Sequence, residues 1–148
     1  MTAVQFAQKA VVTDDSGRIL LVRKSDEDPN QPGRWELPGG RLKDCEDVDA
    51  HMIREVREET GLSVSPGPLI DLWSWQMSWH GEQVQVVAVS RYCKLNRGAR
   101  PVEPCREIDD YLAEQRWFDV SDALRQDIIP SQLRTLEKVA EASHKIAV

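Results

Sequence analysis

Gly39 to Leu62 reads Gly-Gly-Arg-Leu-Lys-Asp-Cys-Glu-Asp-Val-Asp-Ala-His-Met-Ile-Arg-Glu-Val-Arg-Glu-Glu-Thr-Gly-Leu. The stretch predicts a helix that starts between Asp44 and Asp47 and runs to Thr60. Either aspartate can cap it, and Gly61 stands where a helix ends. At about 100° per residue, Val48, Met52 and Val56 share one arc, extended by Ile53, which makes a core-facing stripe. Glu55, Glu58 and Glu59 fall in a separate arc. Gathering them there is locally unfavourable, because like charges one turn apart repel by roughly 0.2–0.5 kcal/mol per pair. They also occupy the last turn, where the helix dipole favours cations. Arg54 can pair with Glu58, yet one arginine does not neutralise three acids. Such a face is either solvated or a cation site. Clustered carboxylates beside open positions suit magnesium, which keeps several waters and completes its shell with substrate phosphates. His51 falls near the acidic arc and reads as an exposed histidine.

Outward from this helix, the chain alternates strands with a few helices. Val4 to Thr13 and Arg18 to Lys24 read as a strand pair around the turn signal Asp14-Asp15-Ser16-Gly17. Ser25 to Gly33 is a loop, and Trp35-Glu36-Leu37 a short strand stopped by Pro38-Gly39-Gly40. Leu69 to Trp79 and Gln83 to Tyr92 are strands joined at His80-Gly81-Glu82. Gln115 to Val120 is a last short strand, followed by helical patterns from Asp122 and from Ser131 to Ala142. The pattern predicts an α/β fold, a two-sided sandwich with a mixed sheet, and residues 1–148 as one domain.

Bulk composition narrows the partners. The 148 residues carry a formal net charge of −6, which argues against duplex nucleic acid or an anionic membrane held by bulk positive charge. No apolar run approaches the length of a membrane span, and the residues after Met1 lack a secretory pattern. Cys45, Cys93 and Cys105 are odd in number with no CxxC pair, so they read as free thiols and point to a cytoplasmic setting.

Gly40, Glu46, Arg54, Glu55, Val56, Glu58, Glu59, Gly61 and Leu62 match every specified position of the pattern G-x5-E-x7-R-E-U-x-E-E-x-G-U, with U aliphatic. The chain thereby resembles the Nudix (MutT-like) hydrolase family. A chance match is on the order of 10⁻⁹ to 10⁻¹⁰ per starting position at average residue usage. The run Gly33 to Gly40 resembles the family's lead-in, and Trp117-Phe118 a late strand. Cys45 departs from many relatives, which carry glycine before the glutamate; that bears on local loop geometry.

The resemblance implies a Nudix-type α/β/α sandwich and a magnesium-dependent enzyme, with manganese as a substitute ion. Such an enzyme cleaves the pyrophosphate linkage of a nucleoside diphosphate derivative by metal-activated water. It implies that Glu58 and Glu59 hold the metal, with the Gly39 carbonyl and with Glu55, which also orients or deprotonates water. Glu46 and Arg54 are implied as the ion pair that supports the loop and helix. A further acid from beyond the box is expected, from among Glu103, Glu107, Asp109, Asp110 and Glu114; Glu114 is favoured as a catalytic group.

Arg23 and Arg34 flank this region in sequence and are candidates for substrate binding. Trp73, Trp75, Met77 and Trp79 alternate with polar residues and so face one side of a strand. That ridge is core, a homodimer interface, or a surface on which a base stacks; Trp75 and Trp79 are carried as substrate-binding candidates. Downstream signatures of ADP-ribose and dinucleoside polyphosphate enzymes are missing, which favours a nucleoside triphosphate, modified or not. An ADP-ribose or nucleotide-sugar pyrophosphatase and a non-catalytic nucleotide-binding domain are the alternatives.

Overall fold

The structure, a computed structural model, describes residues 2–146. Its strands are β1 (Ala3–Thr13), β2 (Ile19–Lys24), β3 (Trp35–Glu36), β4 (Gly39–Arg41), β5 (Val64–Trp79), β6 (Glu82–Leu95) and β7 (Leu112–Phe118). Its helices are α1 (Val48–Thr60), α2 (Val120–Ala123) and α3 (Pro130–Ile146), and a short 3-10 turn spans Ile108–Asp110. The strands form one mixed sheet in the order β3-β2-β1-β6-β5, with β4 on β1 and β7 on β2. β1 and β6 run parallel, and the other pairs antiparallel.

Alternation along β1 divides the core into two layers. Ala10 and Val12 pack with Met52 and Val56 of α1, together with Leu20, Val64 and Cys93. Val11 points the other way, into a cluster with Leu136 and Val139 of α3, Trp35, Leu37 and Phe118. Helices therefore cover both faces of the sheet, which is the predicted α/β/α sandwich.

α1 begins at Asp47, whose carboxylate accepts the Asp49 and Ala50 amides at 3.0 and 3.2 Å. It ends at Gly61, which adopts φ 76°. A side chain there would also meet the Val102 carbonyl oxygen at 1.9 Å, so glycine is required twice over. The buried face of α1 differs from the expected stripe: Val48 and Ile53 are exposed at 44% and 38%, while His51 is fully buried. The Gln8 side-chain amide Nε2 lies 2.7 Å from His51 Nδ1 and donates to the Val48 carbonyl, which gives one nitrogen of the buried ring a partner.

Three further expectations are corrected. β1 and β2 pair only where their turn begins, at Thr13 and Ile19, and then diverge. β1 takes β4 and β6 as partners instead, and β2 takes β3 and β7. Pro38-Gly39-Gly40 does not end the local sheet, since Gly39 to Arg41 pairs with Ala7 to Lys9. β5 starts at Val64, with register shifts absorbing the prolines at 66 and 68; an edge strand tolerates them because its outer amides have no ladder to complete.

Candidate active site

The divergence of β1 and β2 opens a wedge that β4 and the last turns of α1 fill. The Gly39 amide donates to Glu59 Oε2 at 3.0 Å. Gly39 has φ 144°, and a Cβ on it would lie 2.0 Å from the Gln8 carbonyl oxygen. A Cβ on Gly40 would fall 2.9 Å from the Glu55 carboxylate. The paired glycines thus let two glutamates of α1 reach the strand backbone. Glu55 and Glu59 are buried. Burial pushes both carboxyls above the usual range, Glu59 strongly so.

Glu58 points elsewhere. It accepts from Arg54 Nη1 at 3.1 Å, and the same guanidinium grips Glu46 through Nε at 2.6 Å and Nη2 at 3.0 Å. Glu55 Oε1 lies 3.1 Å from Arg54 Nη1 as well. The hydrogen bonds from Arg54 hold the Glu46 carboxyl down at about 2. An ion pair thus joins Glu46 in the loop to Arg54 on α1.

A chain of charges that the sequence reading did not single out lies beside these acids. Lys9 Nζ donates to Glu36 Oε1 at 2.6 Å and to the Gly39 carbonyl at 3.3 Å. Lys24 Nζ lies 3.1 Å from Glu36 Oε2 and donates to the Asp110 carbonyl at 2.7 Å. The sequence held only a partial signal, since Glu36 stands between Trp35 and Leu37 and Lys9 precedes the apolar run Ala10 to Val12. Buried charge in such a place needs partners and often marks a functional site.

Glu55, Glu59, Gly39 and Lys9 line one part of a cavity of about 760 Å³, and Arg41, Trp75, Met77 and Trp79 line another. The Arg41 guanidinium stacks 4.0 Å from the centre of the Trp79 ring and donates to Gln5 Oε1 at 2.9 Å. Trp75 and Trp79 are each 37% exposed, whereas Trp73 and Met77 pack on Ala7, Val84, Val86 and Ala88. The ridge is thus divided between core and cavity wall. The turn that returns the chain behind it, His80-Gly81, has positive φ at both positions, 49° and 80°, as a tight two-residue hairpin requires.

Of the acids beyond the box, Glu107 and Asp110 line the cavity. Glu114 does not: it receives Arg23 Nε at 2.9 Å across the β2–β7 pair and also faces Arg116. Glu103 is exposed, and the Asp109 side chain lies outside the described residues. Arg23 and Arg34, expected at the substrate, are likewise placed outside the cavity lining. Arg23 is engaged by Glu114, and Arg34 by Gln31 at 2.9 Å and Asp127 at 3.6 Å.

The donor set suits a hard divalent cation, being carboxylate and carbonyl oxygen. Among the described residues no three acidic, histidine or cysteine side chains converge on one point. Glu58 is held by Arg54.

Comparisons with known proteins identify the fold and the family. A curated relative, the 8-oxo-dGDP phosphatase of Danio rerio, is 36% identical over 110 residues, covering 74% of this chain and 30% of its own length. The human diphosphoinositol polyphosphate phosphohydrolase 2 is 26% identical over 113 residues, covering 76% of this chain and 56% of its own. The chain thus spans about a third to a half of the length of these relatives. Among solved structures, the MutT NUDIX hydrolase of Burkholderia pseudomallei superposes with a TM-score of 0.65 at 28% identity, over 92% of this chain and 98% of that one. The NUDIX domain profile itself matches residues 5–139, and with nearly the whole sheet and the glutamate helix inside that match, the chain belongs to the Nudix family.

Proposed function

We propose that the protein is a magnesium-dependent pyrophosphohydrolase acting on a nucleoside diphosphate derivative, with a nucleoside triphosphate, modified or not, as the favoured substrate. The observation that carries this reading is the shared cavity. Buried Glu59 meets the Gly39 amide in it, buried Glu55 lies against Gly40, and the half-open rings of Trp75 and Trp79 form its wall. Glu58, Glu59 and the Gly39 carbonyl would hold the ion, with manganese able to replace magnesium. Once bound, such an ion neutralises pyrophosphate charge and acidifies water. Glu55, whose carboxyl burial raises, is suited to accept a proton from the attacking water. Glu107 and Asp110 line the same cavity and are better placed than Glu114 to assist. Trp75 and Trp79 offer π-faces to a base, and Arg41 adds positive charge beside them.

The Danio relative named as an 8-oxo-dGDP phosphatase supports a nucleotide substrate. We read residues 1–148 as one domain, acting in the cytoplasm on a small molecule, without duplex nucleic acid or membrane as partner; a homodimer is compatible with it. No helix among the described residues is long and apolar enough to cross a membrane. The test is a panel of nucleoside triphosphates, oxidised nucleotides, ADP-ribose and nucleotide sugars, with magnesium or manganese and identification of the products. Release of a nucleoside monophosphate from a triphosphate, abolished by chelation, is the expected result. Cleavage of ADP-ribose or a nucleotide sugar alone would move the substrate class. Tight nucleotide binding without turnover would make the chain a non-catalytic binding domain.

A further inference from the structure

β1 pairs with β4 so that Lys9 stands directly opposite Gly39. Its side chain is 12% exposed, and the Glu36 side chain it meets at 2.6 Å is 6% exposed. A buried ammonium held only to neutralise Glu36 would be redundant, because Lys24 already lies 3.1 Å from the other oxygen of that carboxylate. That second contact is off line for a hydrogen bond, since Glu36 Oε2 has no partner of that kind, yet it keeps a cation beside the carboxylate. Lys9 can therefore turn away from Glu36 without leaving an uncompensated buried charge. The other oxygen that Lys9 contacts is the Gly39 carbonyl, at 3.3 Å, and Glu59 and Glu55 line the same cavity as Lys9.

We propose that Lys9 is a built-in counter-cation and positioning residue. Its ammonium group holds the Gly39 carbonyl and the facing carboxylates in place, and a divalent ion entering the cavity competes with it for Gly39. The inference rests on the reading of Gly39 and Glu59 as metal ligands, and it concerns the chain's own charge balance before and during ion entry. Burial disfavours the charge on Lys9, but Glu36, Glu59 and Glu55 outweigh that and hold its pKa above the usual lysine value. A fixed positive charge close to a divalent site repels the incoming ion and makes affinity lower than the carboxylates alone would give. In exchange, the carboxylates are kept apart from one another's repulsion and already aimed at the strand.

The experiment uses Lys9→Met, which keeps the stem and removes the charge. Lys9→Gln is the companion, retaining a donor for Glu36 if the methionine variant folds poorly. Melting is followed in chelator and with saturating Mn²⁺, and Mn²⁺ affinity is measured directly by electron paramagnetic resonance, without substrate. In chelator both variants should melt lower, by roughly 10 °C for the methionine variant. With Mn²⁺ the loss should shrink, and Mn²⁺ should bind both variants more tightly than wild type, by about tenfold. Equal Mn²⁺ affinity in wild type and variants, with the same melting deficit with and without the ion, would reduce Lys9 to a plain structural partner of Glu36. Weaker Mn²⁺ binding in the variants would overturn the competition outright. Turnover enters none of these readouts, so a failed hydrolase assignment and a failed Lys9 assignment remain distinguishable.

Discussion

Arg54 binds Glu46 through two parallel hydrogen bonds, Nε to Oε2 at 2.6 Å and Nη2 to Oε1 at 3.0 Å. This joins the loop before α1 to the middle of the helix. The side chains are 21% and 16% exposed, so the pair is shielded enough to matter where fully exposed pairs do not. Arg54 also touches Glu55 and Glu58, so its loss leaves three acids facing one another. Arg54→Ala should cost about 2–3 kcal/mol, or roughly 5–10 °C in Tm, and should lower turnover as well. A melting curve unchanged beside abolished substrate binding would show that Arg54 contacts the substrate instead.

Glu58 and Glu59 should respond differently to the same chemical change. Glu58→Gln removes the charge of a proposed ligand on the rim of the site, so turnover should fall by orders of magnitude with little change in Tm. Glu59→Gln removes a charge that burial disfavours, as the raised carboxyl shows, while leaving an oxygen for the Gly39 amide. Its turnover should fall equally, yet in chelator its Tm should rise by a few degrees, a trade of stability for function. Differential scanning calorimetry of the two variants beside their rates checks both halves.

The glutamate helix was legible because its ends and its period are local: Asp47 caps it and Gly61 stops it, as the residues themselves dictate. Its rotation was not. The stripe of Val48, Met52, Ile53 and Val56 is the apolar choice, but Gln8 buries His51, and Gly39 and Gly40 draw Glu55 and Glu59 inward. The helix therefore presents residues 51, 52, 55, 56, 59 and 60 to the protein. β4 was hidden for a related reason, since Pro38-Gly39-Gly40 is a local breaker that becomes a strand only against β1. Lys9, Lys24, Glu36, Glu107 and Asp110 come from four separated segments, and no local signal brings them to one cavity. Sequence distance likewise gave no warning that Arg23 and Glu114 would neutralise each other across two strands.

Cys45 adopts φ 61° in the loop before α1, a left-handed conformation that an L side chain enters at a cost of about 1–2 kcal/mol. This is the position where the sequence departs from the glycine of many relatives. Cys45→Gly should therefore raise Tm by a few degrees, part of the gain being offset by the greater freedom of glycine in the unfolded chain. Cys45→Ala keeps the strained φ and should give no such gain. If both variants melt alike, the loop relaxes at no cost and the strain is not stored there.

Acid should loosen two anchoring points together. Asp71 ties β5 to α3 through Arg134 Nε at 2.7 Å and Lys138 Nζ at 3.1 Å. Burial raises its carboxyl pKa, but the contacts from Arg134, the Leu72 amide and Lys138 outweigh this and bring it to about 2. Glu46 is brought to about 2 chiefly by Arg54. Both folded values lie below the ordinary values, 3.8 and 4.5. The stability they give is thus present above those ordinary values and lost as pH falls towards 2. Asp71→Asn should flatten part of that acid loss while lowering stability at neutral pH. A wild-type melting temperature that stays level from pH 5 to about 2 would contradict the shifts.

Trp75 and Trp79 should report on the substrate without carrying the fold. Both line the cavity that holds Glu55 and Glu59, and each is 37% exposed, whereas Trp73 packs against the Ala7 and Val86 cluster. Stacking of a base on an aromatic ring is worth about 1–3 kcal/mol, so Trp75→Ala or Trp79→Ala should raise KM by roughly tenfold. Tm should stay nearly constant for both, while Trp73→Ala should cost about 2 kcal/mol or more by opening a gap in the cluster. Arg41→Ala frees one face of Trp79, where it now stacks at 4.0 Å, and removes a positive charge from the wall. Its KM should rise as well, with a steeper dependence on the number of phosphates than either tryptophan variant shows. Quenching of tryptophan fluorescence by a nucleoside monophosphate in chelator isolates stacking from catalysis, and it should weaken in the Trp75 and Trp79 variants. Sedimentation of each variant separates the remaining account of the ridge. A change in oligomer mass with KM unchanged would make these rings a subunit interface, and a base-free pyrophosphate turned over as well as its nucleotide counterpart would remove stacking from the mechanism.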